Sequence, residues 1–353
     1  MEKPRNAQPQ GLATLAQLGE FDEIIDVRSP AEYAEDHIPG AVSCPVLDDD
    51  ERARVGTLYA QSPFAARKLG AALVLRRIAD HVEQRFAGRP REWRPLVYCW
   101  RGGKRSGGFT HVLRQIGWDA CALEGGYKTY RRHVVAQLRV LPPNFAYRVV
   151  CGATGSGKSR VLQALAGLGA QVLDLERLAA HKGSVLGDLP DAPQPTQKMF
   201  ETELLAALER LDPSRPVHVE AESRKIGSLQ VPDALIAGMR ASPCLRIDAG
   251  LEARVRFLLG DYDYFVADPQ RLEQRIDCLK GLQSRETLDR WKSLIAAGAW
   301  PDLVRELLAG HYDPLYYRSQ DRNYVQYPQA ARFETEDLSP PAVARLAERI
   351  LAA

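Results

Sequence analysis

The sequence predicts an α/β protein made of two domains, each built around a parallel sheet. Short apolar runs alternate with segments of helical spacing in both halves, and each half has a glycine-rich loop directly after such a run. A chain of 353 residues is also too long for one ordinary hydrophobic core. Its 45% hydrophobic and 26% charged residues are typical of a soluble globular protein.

The first half of the chain predicts a domain over residues 1–140. Its predicted elements are a strand at 21–27, a helix capped by Ser29 and Pro30, a helix at 65–84, a strand at 95–98 and a helix at 107–116. Because these strands and helices alternate, we expect a parallel sheet with helices on both faces.

The second half predicts a domain over residues 147–353, after a linker at 141–146 in which Pro142 and Pro143 favour extended backbone. Its predicted strands are 148–151, 171–175, 216–221 and 244–247, and its predicted helices are 158–168, 196–211 and 232–239. From Leu251 onward the pattern predicts a mainly helical C-terminal part.

Composition and charge exclude several classes of protein. The net charge of +2 gives no global field for nucleic acid, so such a partner would need local basic clusters. The chain has no apolar signal core and no apolar run that could span a bilayer, so we expect a cytoplasmic protein. Six cysteines without a C-x-x-C pair predict neither a disulfide framework nor zinc, and we expect no haem or flavin.

The first glycine-rich loop places a cysteine among cations. Residues 99–106 read Cys-Trp-Arg-Gly-Gly-Lys-Arg-Ser, and they follow the strand predicted at 95–98. Backbone amides, a helix N-terminus and nearby cations all favour a thiolate, so Cys99 is the candidate nucleophile. The candidate anion-binding residues are Trp100, Arg101, Gly102, Gly103, Lys104 and Arg105. The alternative is a buried structural cysteine at the end of a strand.

The second loop, residues 152–159, matches the phosphate-binding pattern G-x-x-x-x-G-K-S. The candidate diphosphate-binding residues are Gly152, Thr154, Gly155, Ser156, Gly157, Lys158 and Ser159. Lys158 would contact the terminal phosphates, and Ser159 would ligate Mg²⁺ if the ion binds. Candidate acidic partners at strand ends are Asp174, Glu176, Glu220 and Glu222, although a solvated surface would explain any one of them.

The chain resembles a rhodanese domain over about its first 135 residues. The resemblance rests on residues 26–33, 37–41, the Cys99 loop and 124–127. It implies that Cys99 carries a chalcogen atom as a persulfide. The spacing from Cys99 to Arg105 is one residue longer than the usual rhodanese loop and equals the Cys-x5-Arg spacing of phosphatases. The spacing therefore leaves phosphatase activity as an alternative to sulfur transfer. Tyr98 argues against a phosphatase, because those enzymes usually have histidine at this position.

A rhodanese-like domain followed by a P-loop NTPase-like α/β domain with a helical C-terminal part is similar to the tRNA 2-selenouridine synthase family. Segments 171–176, 181–184, 197–201, 220–227 and 311–316 also resemble that family. The resemblance implies that selenium replaces sulfur in wobble 2-thiouridine of tRNA. It further implies selenophosphate and geranyl diphosphate as co-substrates, an S-geranylated intermediate, and a selenophosphate-producing enzyme as a partner.

Two further alternatives remain beside the phosphatase. Arg254 and Arg256 resemble the phosphate-facing arginines of small-molecule kinases, so a rhodanese–kinase fusion is one alternative, and a non-catalytic tRNA-binding protein is another. Candidate tRNA-binding residues outside the cysteine loop are Arg131, Arg132, Arg318 and Arg322, any of which could equally solvate a helix face.

Overall fold

The computed structural model describes residues 11–353, which form two compact units that divide after Ala136. Each unit contains a five-stranded sheet in which every neighbouring pair of strands is parallel. The predicted α/β class with two parallel sheets is therefore confirmed. None of the helices in this range is long and apolar enough to cross a membrane.

The first unit has the strand order β1-β5-β4-β2-β3. Its strands are β1 (Leu12–Ala13), β2 (Glu23–Asp26), β3 (Val42–Ser43), β4 (Pro95–Tyr98) and β5 (Cys121–Leu123). Its helices are α1 (Pro30–Glu35), α2 (Asp49–Gln61), α3 (Pro63–His81), α4 (Lys104–Ile116) and α5 (Gly126–Val140), the last of which extends past the division. Because β4 is the central strand, Cys99 follows the carboxyl end of the middle of the sheet.

The start of α1 is the predicted one, and it has a physical cause. Ser29 and Glu32 form a capping box, in which the Ser29 N–H donates to Glu32 Oε2 at 3.1 Å, and Pro30 occupies the first turn. The core beside this helix is aromatic: Phe86 packs against Trp93 and Phe109.

The second unit has the strand order β12-β11-β6-β8-β7, with the short antiparallel pair β9 and β10 apart from it. Its strands are β6 (Tyr147–Gly152), β7 (Gln171–Leu173), β8 (Val217–Glu220), β9 (Lys225–Ile226), β10 (Leu229–Gln230), β11 (Cys244–Ala249) and β12 (Ala331–Thr335). The helices on and beside the sheet are α6 (Lys158–Gly167), α7 (Leu175–Leu178), α8 (Gln197–Leu208) and α9 (Asp233–Ala241).

The C-terminal part is mainly helical, as predicted, and has its own apolar core around Trp291. Its helices are α10 (Leu251–Asp261), α11 (Asp263–Ala267), α12 (Pro269–Asp277), α13 (Arg285–Ala296), α14 (Trp300–Leu307), α15 (Asp313–Asn323) and α16 (Pro340–Leu351). The sequence did not predict β12, an edge strand paired with β11. Only Phe333 is buried in it, so its residues lack the apolar run of a central strand.

The segment around Pro142 differs from the extended linker that the two prolines suggested. α5 continues to Val140, and Pro142–Asn144 then form a 3-10 turn. Proline is compatible with this turn because the first residues of a helix have no intrahelical partner for their N–H groups.

Candidate functional site

Cys99 is buried at the carboxyl end of β4, with 3% of its surface exposed. Its Sγ lies 3.2 Å from the Ser106 hydroxyl. Burial raises the pKa of Cys99, but hydrogen bonds from Ser106 and the Gly103 backbone, together with the charge of Arg105, outweigh burial and lower it below the ordinary value. The thiol therefore ionises more readily than an ordinary cysteine.

The start of α5 fixes the shape of the Cys99 loop. Gly102 and Gly126 have φ angles of +63° and +58°. A Cβ on Gly126 would lie 2.3 Å from the Cys99 carbonyl oxygen, a distance that no side chain tolerates. The Tyr127 N–H donates to that same oxygen at 2.8 Å. The Glu-Gly-Gly-Tyr segment is thus the backbone support of the candidate nucleophile.

A buried ion pair holds Tyr127 in turn. Arg28 Nη2 lies 2.6 Å from Asp26 Oδ2, both side chains are fully buried, and the same nitrogen donates to the Asp36 carbonyl at 2.6 Å. The Arg28 guanidinium lies 4.0 Å from the centre of the Tyr127 ring, whose hydroxyl donates to Asp36 Oδ2 at 2.7 Å. The Asp-Val-Arg segment therefore positions the Cys99 loop through Tyr127 instead of contacting the thiol.

The cations of the loop have different surroundings. Arg105 is half-buried, and its Nη1 donates to Glu32 Oε2 at 2.7 Å, a partner that the sequence analysis did not identify. Arg101 and Lys104 are exposed. Trp100 packs against Tyr127, with ring centres 5.3 Å apart. Arg101 and Lys104 are consequently the loop cations best placed to meet an anion from solvent.

The predicted tRNA-binding arginines are also not equivalent. Arg132, Arg318 and Arg322 are exposed. Arg131 is half-buried, and its Nη1 lies 3.9 Å from Oδ2 of the buried Asp36. Arg131 therefore balances an internal carboxylate, whereas Arg132 presents its charge to solvent.

The phosphate loop of the second unit has the predicted strand–loop–helix context between β6 and α6. Gly155 and Gly157 have φ angles of +80° and +77°. A Cβ on Gly152 would lie 2.3 Å from the Ser156 hydroxyl, so the loop is closed too tightly for a side chain there. Lys158 Nζ donates to the Gly152 carbonyl at 2.8 Å. These contacts give the curled backbone that a diphosphate requires.

Three carboxylates extend from the loop serine into the interior. The Ser159 hydroxyl donates to Glu176 Oε2 at 2.6 Å, and the Glu176 N–H donates to Glu220 Oε1 at 2.7 Å. Burial and then repulsion by Glu176 raise the pKa of Glu222 to about 8, although Lys158 acts in the opposite direction. Burial and the neighbouring acids raise the pKa of Glu220 well above its ordinary value as well. Glu222 is therefore mainly protonated at neutral pH, and the pKa of Glu220 is shifted in the same direction.

Asp174, the fourth predicted acid, has a structural contact. Its carboxylate accepts from the Arg177 N–H at 2.8 Å and so caps α7. Burial raises the pKa of Asp174.

Residues from the helical part complete the phosphate loop. Arg254 is buried, and its guanidinium donates to the Thr154 carbonyl at 3.1 Å. It also forms a bidentate ion pair with the Asp313 carboxylate, at 2.8 and 2.7 Å. The Tyr316 hydroxyl accepts from the Gly152 N–H at 2.6 Å. Arg256 is exposed and donates to the Glu336 carbonyl. Arg254 therefore supports the loop backbone, and Asp313 and Tyr316 join the site from segment 311–316.

A cavity of about 970 Å³ lies over the phosphate loop. Its walls include Lys158 and Ser159 of the loop, Glu176 and Glu222, and five tyrosines, Tyr262, Tyr264, Tyr312, Tyr316 and Tyr324. Drug-sized ligands occupy cavities of about 300–1,000 Å³. The volume therefore suits a ligand considerably larger than a diphosphate alone.

The direction of the pKa shift distinguishes Cys99 from Cys44 and Cys121. Burial raises the pKa of Cys44 to about 11, and it also raises the pKa of Cys121. Cys151 and Cys244 interact with each other: a hydrogen bond from the Cys151 thiol lowers the pKa of Cys244. They lie on the neighbouring strands β6 and β11, a juxtaposition that sequence spacing does not show.

Two domain families match this chain. The rhodanese-like domain matches residues 9–133, and the tRNA 2-selenouridine synthase AAA domain matches residues 145–288. The two matches cover the Cys99 loop and the phosphate loop, respectively.

Proteins named tRNA 2-selenouridine synthase are similar to most of the chain. The protein of Nitrosomonas europaea is 37% identical over 75% of this chain and 70% of its own length. That of Bdellovibrio bacteriovorus is 33% identical over 94% of this chain and 97% of its own length. That of Alcanivorax borkumensis is 33% identical over 83% of this chain and 88% of its own length. The similarity therefore extends through both loops and into the helical C-terminal part.

We predict that Ser106→Ala raises the pKa of Cys99, because the hydroxyl hydrogen bond stabilises the thiolate. The loss of one such bond corresponds to about one pKa unit, or roughly tenfold slower alkylation below both pKa values. Iodoacetamide labelling of Cys99 across pH, followed by peptide mass spectrometry, measures this shift. Cys278, which is exposed, serves as the internal control, and an unchanged profile for Cys99 would contradict the prediction.

A second prediction concerns the stability of the second unit and Glu222. The pKa of Glu222 is about 8 in the folded protein, above the value of about 4.3 in the unfolded chain. Between these two pH values the folded state binds more protons than the unfolded state, so the free energy of unfolding falls as pH rises. Glu222→Gln removes this contribution. The variant should therefore gain stability relative to the parent chain as pH rises through that window. Urea unfolding of both proteins at several pH values tests this, and a pH-independent difference would refute it.

Proposed function

The chain belongs to the tRNA 2-selenouridine synthase family, and on that premise we propose that it replaces sulfur by selenium in 2-thiouridine at the wobble position of tRNA. Selenophosphate is the selenium donor, and geranyl diphosphate supplies an alkyl group for an S-geranylated intermediate. The observation that supports this best is the presence of two formed anion loops of different chemistry. One contains a thiol with a lowered pKa, and the other contains the lysine and amides of a diphosphate site.

The phosphate loop fits the alkylation step. The sulfur of 2-thiouridine attacks C1 of geranyl diphosphate, the C–O bond breaks, and diphosphate leaves. Lys158 and the loop amides stabilise the charge that develops on the departing diphosphate. S-alkylation converts a thiocarbonyl into a carbon bearing a thiolate leaving group, which the second step needs.

The Cys99 loop fits the selenation step. Selenium attacks C2 of the alkylated base, the C–S bond breaks, and geranyl thiolate leaves. Selenophosphate attacks through its selenium atom, and water then cleaves the P–Se bond and releases phosphate. Arg101 and Lys104 are the exposed cations for this anion, and Cys99 orients the incoming selenophosphate.

Magnesium fits the diphosphate site. Mg²⁺ that arrives with phosphates is usually held by only one or two protein oxygens, and Ser159 and Glu176 offer such a pair. Within residues 11–353, no group of three or more histidine, cysteine or acidic side chains could hold a metal on its own. We therefore propose that any Mg²⁺ here binds together with the diphosphate and neutralises part of its charge.

The decisive experiment pairs one variant in each loop. Lys158→Ala should lose geranyl transfer by roughly 10²–10³-fold, because a group that stabilises transition-state charge is removed. Cys99→Ser should abolish selenouridine while it leaves S-geranyl-2-thiouridine intact. Nucleoside mass spectrometry of 2-thiouridine tRNA, incubated with geranyl diphosphate and then selenophosphate, measures both products. Lys280→Ala, an exposed lysine paired with Asp277, is the matched control.

Other outcomes would favour other functions. Full selenation by Cys99→Ser would exclude a chalcogen role for that thiol. Steady ATP hydrolysis that geranyl diphosphate does not inhibit would favour the kinase-like alternative, and hydrolysis of an aryl phosphate by Cys99 would favour the phosphatase.

The tRNA surface gives a further prediction. Arg132→Ala should weaken tRNA binding and lower the slope of log affinity against log salt by about one unit, because each phosphate contact releases counterions. Combining it with Arg131→Ala tests the predicted pair, although Arg131 also balances Asp36. A salt titration of tRNA binding, with the exposed Arg91→Ala as control, measures the slope. An unchanged slope would place the tRNA surface elsewhere.

A further inference from the structure

A small apolar cavity adjoins the phosphate-loop cavity. It measures about 80 Å³, and its walls include Phe265, Trp300, Val304 and Leu307, with Leu258 between it and the loop. The residues that line both cavities are Thr154, Ser184, Leu258, Tyr262 and Tyr312, so the apolar space lies beside the phosphate loop. The two cavities together form a polar site with an apolar extension.

Helix α10 connects the two parts physically. Leu258 packs directly on the phosphate loop: a Cβ on Gly155 would lie 2.8 Å from its Cγ and Cδ1 atoms. One turn earlier in the same helix, Arg254 donates to the Thr154 carbonyl and is held by Asp313. The apolar wall is therefore fixed relative to the loop that would bind a diphosphate.

The apolar lining selects among phosphate-bearing ligands. The base and ribose of a nucleotide carry several polar groups, and these would lose their hydrogen bonds among Phe265, Val304 and Leu307. A hydrocarbon loses nothing there and gains the free energy of leaving water. The cavity consequently favours a ligand with phosphate at one end and hydrocarbon at the other.

The size of the cavity limits what part of a chain it takes. Apolar cavities of about 150 Å³ hold a benzene molecule, and this one is roughly half as large. It therefore suits the distal end of a branched chain, roughly one isoprene unit. The rest of the chain has room along Leu258 in the larger cavity.

We propose that this cavity binds the distal isoprene unit of an alkyl diphosphate whose diphosphate lies on the phosphate loop, and that its small volume selects chain length. The proposal rests on the proposed function and assigns a place to the hydrocarbon of that substrate. Val304, which is half-buried in α14 and lies on the wall of this cavity, is the position that tests it.

The experiment measures affinities of inorganic, dimethylallyl, geranyl and farnesyl diphosphate by competition with Mg²⁺ present. Each methylene that leaves water contributes about fourfold in affinity, so the parent chain should bind geranyl far more tightly than dimethylallyl diphosphate. Val304→Phe fills the cavity and should reduce geranyl affinity by at least about tenfold, while inorganic diphosphate binds unchanged. Val304→Ala enlarges it and should improve farnesyl relative to geranyl diphosphate. Val325→Phe, at a position 81% exposed, is the control for added bulk.

The outcomes separate this proposal from the proposed function. If the parent chain binds geranyl no better than inorganic diphosphate, the geranyl step itself fails. If it prefers geranyl but both Val304 variants keep the parent's chain-length order, the cavity is a packing void and this proposal is overturned. Should Val304→Phe lower the thermal midpoint too far for binding assays, the farnesyl-to-geranyl ratio of Val304→Ala decides alone.

Discussion

Both candidate sites depend on one physical constraint, the compensation of negative charge at the carboxyl end of a central parallel strand. Strands β4 and β6 are each followed by a glycine-rich loop with positive φ angles, and a helix begins directly afterwards. Backbone N–H groups and the helix N-terminus supply partial positive charge without side-chain entropy. The thiolate of Cys99 and the diphosphate proposed at Lys158 are two anions that this arrangement would stabilise.

Each loop is supported from outside by a buried arginine–aspartate pair. Arg28 with Asp26 orients Tyr127, which donates to the Cys99 carbonyl, and Arg254 with Asp313 donates to the Thr154 carbonyl. In both cases the guanidinium contacts protein instead of the anion site. Removing one partner of such a pair leaves a buried charge, which typically costs about 3–5 kcal/mol. The arginines therefore preserve loop geometry, and the exposed cations remain available to ligands.

The sequence was sufficient for the local parts of this design. Strand, glycine-rich loop and helix are adjacent in the chain, and the cap at Ser29 is encoded within four residues, so their structures followed from short patterns. Contacts between distant segments could not be obtained in that way. The pairing of Glu32 with Arg105, the edge strand β12 and the apolar cavity beside Leu258 arise from tertiary packing. Only the resemblance of segment 311–316 to a known family pointed toward Tyr316.

The glutamates beside the phosphate loop present an electrostatic problem that their pKa values resolve. If Glu176, Glu220 and Glu222 were all ionised beside one Lys158, the site would repel the diphosphate that we propose as its ligand. Burial raises the pKa of each of them, and neighbouring acids raise it further, so near neutral pH the cluster carries less negative charge than three free carboxylates would. The raised pKa values therefore reduce the negative charge that a diphosphate on the phosphate loop would meet, and they allow several acids to lie beside one lysine.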